Sequence, residues 1–171
     1  MDELTIRPAR PSDWPYLRAA IVELQEHERR LHDSRLPGEA IADAYLRWLL
    51  DEAAKDGAAF VAEVDGAFAG FAAGWVVNED NVAETADSNR FGLVSDVCVM
   101  EPYRGRRIAS RLLDAMEAHF RAAGVSRIRV RALAANSAAR KSYERSGFEP
   151  YEAVYEKVVA TKATSGPRRP K

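Results

Sequence analysis

The 171-residue sequence predicts a mixed α/β fold, and three patterns carry that reading. Residues 58–64 and 67–77 are apolar, strand-like runs separated by Asp65-Gly66, a pair suited to a two-residue hairpin turn. From about Arg106 onward the period changes: Ile108, Leu112, Met116 and Phe120 recur every fourth residue, as on the buried face of an amphipathic helix. In residues 125–133 the period falls to two, with Ile128, Val130 and Ala132 alternating against Arg127, Arg129 and Arg131, a strand with one apolar and one basic face.

The remaining elements follow from the same signals. Residues 4–8 read as an opening strand. Ser12 is placed to cap a helix that turns Leu17, Ile21, Leu24 and Leu31 inward, and a second helix carries Ile41, Tyr45, Trp48 and Leu49. Between them, residues 32–38 contain Pro37-Gly38 and read as a loop. Residues 78–90 are polar and acidic without an apolar period, which predicts a long loop serving as insertion or lid. Residues 93–100 form the next strand, Gly124 ends the helix after it, and residues 151–159 read as a last strand. The order is strand, two helices, three strands, helix, strand, helix, strand, with no internal repeat. One domain is expected over residues 1–160, followed by a basic, Pro-containing tail at 161–171 that is expected to be disordered.

Composition narrows the function classes. No apolar run is long enough to span a membrane, Met1-Asp2-Glu3 does not open a signal peptide, and Cys98 is the single cysteine. A soluble cytoplasmic protein with no disulfide framework and no membrane partner is the expectation. The net charge of −1 conceals an acidic stretch up to residue 90 and a basic remainder. The basic part suits a polyphosphate ligand and the acidic part a cationic acceptor such as an amine, or the two halves of the sequence do not map to separate surfaces and the asymmetry has no functional meaning. A nucleic-acid partner is not expected, since the basic cluster at 104–107 and the Arg168-Arg169 pair lack interleaved aromatics. His27, His32 and His119 have no metal-ligand spacing, and Cys98 has no neighbouring activator that would make it a nucleophile.

The segment richest in chemistry is Pro102-Tyr103-Arg104-Gly105-Arg106-Arg107-Ile108-Ala109-Ser110, a basic turn between a strand and a helix. A helix N-terminus leaves about four N–H groups unpaired and carries roughly half a positive charge, so the turn reads as an anion cradle. By itself it would equally serve as a solvated basic corner. A second segment follows, Asn136-Ser137-Ala138-Ala139-Arg140-Lys141-Ser142-Tyr143-Glu144-Arg145-Ser146-Gly147-Phe148. This is a short helix with Asn136 as N-cap and Gly147 as its stop.

Together, Val97-Cys98-Val99 on a strand, then Pro-x-Tyr-Arg-Gly-x-x-Ile-Ala, then Asn-x-x-Ala-x-x-x-Tyr-x-x-x-Gly-Phe, resemble the GCN5-related N-acetyltransferase family over about half the chain. Arg107 departs from the pattern, standing where the family's pyrophosphate loop usually has Gly. The resemblance implies a mostly antiparallel central sheet with helices on both faces and a splayed pair of central strands. It implies acetyl-CoA as co-substrate, bound by the backbone of Val97, Cys98 and Val99 and by the turn Arg104, Gly105, Arg106, Arg107, Ile108, Ala109 and Ser110. Asn136 would contact the pantetheine arm or cap its helix, and the Val99 N–H would polarise the thioester carbonyl. Tyr143 would protonate the departing sulfur. Asp96 is the first choice for the base, with Glu26 and Glu28 as alternatives. The function implied is direct acetyl transfer to a primary amine of a small molecule, peptide or protein, with a non-catalytic acyl-CoA-binding or regulatory module as the alternative. A homodimer is the family's habit.

Overall fold

The computed structural model describes residues 3–159. The elements are β1 (Leu4–Pro8), α1 (Trp14–Arg29), α2 (Gly38–Asp56), β2 (Gly57–Val64), β3 (Ala67–Asn78), β4 (Arg90–Val99), α3 (Ile108–Ala122), β5 (Ile128–Val130) and α4 (Ser137–Arg145). The strands form one sheet in the order β1-β2-β3-β4-β5, antiparallel except for the parallel β4–β5 pair. Among the described residues no helix is long and apolar enough to cross a membrane. The proposed tail at 161–171 lies outside the described residues.

The Asp65-Gly66 hairpin forms with positive φ at both residues, 49° and 78°, as a right-twisted two-residue turn requires. Asp65 also fixes the sheet edge: its N–H donates to the Glu3 carbonyl and its carboxylate accepts the Glu3 N–H, both at 2.9 Å. One sheet face is covered by α3, whose Ile108, Leu112, Met116 and Phe120 are buried against Ala62, Ala72 and Val94. The other is covered by α1 and α2 through Leu17, Ile21, Leu46 and Leu49, packed on Val61, Phe71 and Cys98.

β4 carries an irregularity that organises everything nearby. Val94 pairs with Gly74 and Asp96 with Ala73, so Ser95 is an extra residue bulging from the ladder. The bulge resets the side-chain alternation. Val94 faces α3, and after it Val97 and Val99 face α3, while Cys98 turns toward α1 and α2. β5 pairs with β4 only through Gly92, Leu93 and Val94, so the two strands part at the bulge. That is the splayed pair the resemblance implied.

Several elements differ from expectation. Residues 151–159 form no strand among the described residues, and Val154, Tyr155 and Val158 are 88%, 93% and 83% exposed. β5 is three residues long and offers only a short ladder for another strand, while Pro150 lacks an N–H at the segment's start. Leu31 lies beyond the end of α1. α1 begins at Trp14 after a short 3-10 turn, Pro11–Asp13, that absorbs Ser12, so Ser12 does not cap it. The buried stripe of α2 is Gly38, Ala42, Leu46, Leu49 and Ala53, which leaves Trp48 44% exposed. Trp48 stacks edge-on against Trp75 and lies beside Tyr45. α3 starts at Ile108, since Arg107 is left-handed and cannot belong to the helix.

Candidate active site

Past the bulge, the outer edge of β4 has no neighbouring strand among the described residues. The Met100 N–H donates to the Ala69 carbonyl at 2.9 Å, and backbone direction alternates along an antiparallel strand. Cys98 therefore also turns its polar groups toward β3, while Val97 and Val99 turn theirs toward the gap. The Val99 carbonyl confirms the direction, accepting the Arg104 Nε–H at 3.1 Å from outside the sheet. Two backbone N–H groups, of Val97 and Val99, thus face open space beside β5.

The basic turn lies at the end of this strand. Gly105 and Arg107 both have positive φ, 80° and 59°, on either side of Arg106. Successive residues in such conformations aim their N–H groups into one concavity, here continuous with the N-terminus of α3. Arg104 is paired with Glu23 on α1, at 2.5 Å, which offsets its charge, and Glu23 also accepts the Glu101 N–H at 3.1 Å. The Arg106 guanidinium lies over the Tyr103 ring, 5.7 Å from its centre. The field of the cradle therefore comes from the helix end and Arg107 more than from three arginines together.

α4 contributes Ala138, Ala139, Ser142 and Tyr143 to the wall of the same cavity. Asn136 caps it, its Oδ1 accepting the Ala139 N–H at 3.1 Å, and the Asn136 side chain is buried in that role. Ser146 and Ser110 join α4 to α3 through their hydroxyls at 3.1 Å. Tyr143 packs its ring near Phe148, centres 6.1 Å apart, against the α3-side core. Its hydroxyl makes no hydrogen bond among the described residues. Burial first, then the charges of Asp96 and Glu28, push its pKa up to about 12, so it stays protonated at physiological pH.

These parts enclose a cavity of ≈ 450 Å³. Of the residues singled out from the sequence, Val97, Cys98, Val99, Arg104, Gly105, Arg107, Ile108, Ala109, Ser110, Asn136 and Tyr143 all border it; Arg106 and Asp96 do not. Arg106 turns toward Tyr103 instead. Asp96 opens, with Ser95, into a second cavity of ≈ 370 Å³ on the α1–α2 side, and Leu24 borders both spaces.

Asp96 is 8% exposed. Its carboxylate accepts the Tyr45 hydroxyl, at 3.2 Å and 3.0 Å to its two oxygens, and the Ser95 hydroxyl at 2.8 Å. Burial raises its pKa above the ordinary carboxylate range, with those two hydroxyls opposing the rise. The three candidate carboxylates thus separate. Glu26 accepts the Gly38 N–H at 2.6 Å and is committed to the start of α2, which holds its pKa down. Glu28 borders the second cavity but is paired with Arg35 at 2.7 Å. Cys98 is buried, its thiol points at the Ala20 carbonyl 3.6 Å away, and burial pushes its pKa up to about 12. Tyr45, expected only as an inward-facing helix residue, and Glu23 hold Asp96 and Arg104, roles that the sequence does not reveal. Nothing local marks either one, since their partners lie on distant elements.

The family model of the acetyltransferase (GNAT) family matches residues 19–148. The chain shares 32% identity over 77 residues with the uncharacterised N-acetyltransferase YycN of Bacillus subtilis; the match covers 45% of this chain and about half, 49%, of that relative. Among solved structures, the aminoglycoside N-acetyltransferase AAC(6')-Iy in complex with CoA superposes with a TM-score of 0.69 at 20% identity, covering 94% of this chain and 97% of the other. A predicted acetyltransferase from Clostridium acetobutylicum, with acetyl-CoA, superposes at 0.69 with 18% identity, covering 91% and 96%. A GCN5-related N-acetyltransferase from Ralstonia eutropha reaches 0.71 at 19% identity over 91% and 99%. The fold is shared with these acetyltransferases. The chain belongs to the acetyltransferase (GNAT) family.

Proposed function

We propose that this protein transfers an acetyl group directly from acetyl-CoA to a primary amine within a ternary complex. One observation carries the reading: the unpaired β4 backbone, the N-terminus of α3 and the free Tyr143 hydroxyl all open into one cavity. The residues present fit acetyl-CoA, which brings an activated acetyl thioester to the site. The N–H groups of 104–110 and the α3 dipole bind the pyrophosphate. The outward N–H and C=O groups of Val97 hold a pantetheine amide in place of a missing strand. The Val99 N–H is aimed where negative charge develops on the thioester oxygen, a contribution of about 3 kcal/mol for such a donor.

Tyr143 delivers a proton to the departing sulfur. A thiol's ordinary pKa near 8.5 makes that transfer from a phenol effective only in a positioned, water-poor site, which the Phe148 packing provides. Asp96 receives the proton of the attacking amine, directly or through a water in the second cavity. Its raised pKa makes it a stronger base than an exposed carboxylate. Cys98 takes no covalent part, because its thiol faces the α1–α2 core and stays protonated; this favours direct transfer over an acyl-cysteine route. The protein-bound titrating groups are thus divided by the sheet, the acid on one side of the split and the base on the other.

Two measurements test the reading. CoA at a hundred times its dissociation constant should stabilise the fold by about 2.7 kcal/mol. Thiol release from acetyl-CoA against a panel of amines, amino acids and peptides should show turnover with at least one of them. No thermal shift at millimolar CoA removes the reading.

A further inference from the structure

We propose that the second cavity selects an acceptor that carries a carboxylate as well as its amine, and that Arg131 binds that carboxylate. The inference rests on the transfer reading above and names the acceptor class at the same site.

The argument begins with the three arginines after α3. Arg127 is paired with Asp87 at 2.7 Å. Arg129 lies over the rings of Phe91 and Tyr151, 3.9 Å and 4.6 Å from their centres, and donates to the Ser88 hydroxyl at 2.8 Å. Both are therefore used to fasten the 79–89 loop and the chain after α4 to the sheet. Arg131 comes directly after the end of β5. It makes no ion pair or hydrogen bond among the described residues, and it borders the cavity that contains Asp96. A guanidinium has five donors in a planar fork that matches a carboxylate, and here none of them is occupied.

The rest of the cavity limits what can answer it. Asp96 and Glu28 lie in the same space, and the charge of Glu28 is close enough to help raise the pKa of Asp96. Glu28 is already balanced by Arg35. The wall therefore presents one acidic pole, at Asp96, and one uncompensated basic pole, at Arg131. A ligand with an ammonium at one end and a single carboxylate at the other satisfies both. A polycation would place its second positive charge against Arg131, and a dianion would place its second negative charge against Asp96. Ile21, Leu24 and Leu133 supply apolar wall between the poles, suited to aliphatic carbon. The ≈ 370 Å³ volume suits a small molecule and not a folded surface.

The test pairs each of a set of α-amino and short ω-amino acids with its methyl ester, which keeps the amine and removes the negative charge. Two readouts are taken on the full chain: thiol release from acetyl-CoA, and thermal stabilisation by the same compounds with CoA present. The ester amine is the less basic and so is more available for attack, which means that a preference for the acid cannot come from the amine. At least one acid should exceed its ester about tenfold or more in kcat/KM, the scale of one charge-assisted bond. Arg131→Leu should bring that ratio close to one mainly through KM, and Arg131→Lys should restore part of it. Arg131 is exposed and unpaired among the described residues, so its substitution should leave the melting temperature within a degree or so of the parent's.

Stabilisation by acids and not by esters, lost in Arg131→Leu but unaccompanied by thiol release, would support the cavity assignment and overturn the transfer reading. Equal use or binding of acids and esters, or equal use of polyamines, overturns the assignment and leaves acetyl transfer standing.

Discussion

The Tyr45 hydroxyl on α2 is shared between both carboxylate oxygens of Asp96 on β4, at 3.2 Å and 3.0 Å. The bond joins the helix layer to the strand immediately after its bulge, and it opposes the rise in pKa that burial imposes on the group proposed as base. Tyr45→Phe removes a donor that favours the ionised carboxylate, while the burial that disfavours ionisation remains. The Asp96 pKa should rise further. The acid limb of the kcat/KM profile should then move to higher pH with any one acceptor, since the acceptor's own ionisation is common to both enzymes. Ser95→Ala should move it the same way. A limb that stays in place in both variants would assign the base elsewhere.

Tyr143→Phe keeps the ring that packs beside Phe148 and removes only the hydroxyl. If that hydroxyl protonates the leaving sulfur, kcat should fall on the order of 10²-fold with little change in CoA affinity or melting temperature. With its pKa pushed up to about 12, Tyr143 should add no limb to the profile in the physiological range. An unchanged kcat would leave the ring as packing alone.

Stability should depend on an ion pair far from the cavity. Arg7 on β1 forms two bonds of 2.8 Å with Asp13 and a third of 2.6 Å with Glu63, and Asp13 also accepts the Arg10 N–H at 2.7 Å. Both Arg7 and Asp13 are largely buried, and the Arg7 hydrogen bonds hold the Asp13 carboxyl below its usual range. Asp13→Asn should cost about 3 kcal/mol, the lower end for breaking a buried pair, because Glu63 continues to compensate Arg7. The folded pKa is depressed, so the stabilisation is complete above the ordinary carboxylate value near 4 and is lost as pH falls below it through the folded value. Urea denaturation from neutral pH down to pH 2 should show a shallower decline for Asp13→Asn than for the parent.

What could be read from the chain was governed by range. Asp65-Gly66, Asn136 and Gly147 act through their own backbone or a residue three positions away, and each forms the turn, cap or stop expected of it. The spacing of Ile108, Leu112, Met116 and Phe120 is equally local, and all four are buried. The bulge at Ser95 is different: an extra residue on β4 is defined only by its register against Gly74 and Ala73, which no pattern within β4 reveals. That one insertion decides that Val97 and Val99 offer their backbone to the cavity. It also turns Asp96 to the opposite side, into the second cavity. The split roles of Arg104, neutralised by Glu23, and Arg131, left unpaired, depend likewise on contacts between distant elements. In α2 the helical period was legible, but its phase was not, because Trp48 finds Trp75 at the margin and leaves the core to Leu46 and Leu49.

Arg107 offers the sharpest remaining test, because two opposing effects meet at one residue. Its φ of 59° and ψ of 19° are left-handed, which costs a non-glycine residue roughly 1 to 2 kcal/mol. A guanidinium at the mouth of the α3 cradle can return a charge-assisted bond to phosphate of about 1.5 to 3 kcal/mol. The second effect is the larger, so the arginine should be a functional part of the turn. Arg107→Gly relieves the backbone, removes the charge and leaves the helix N-terminus in place. Its affinity for acetyl-CoA, measured by calorimetry across a salt series, should be equal to or weaker than the parent's and should vary less with ionic strength. Tighter binding by tenfold or more would mean that the strained backbone displaces the pyrophosphate. A non-catalytic role for the cradle would then become the better account of this chain.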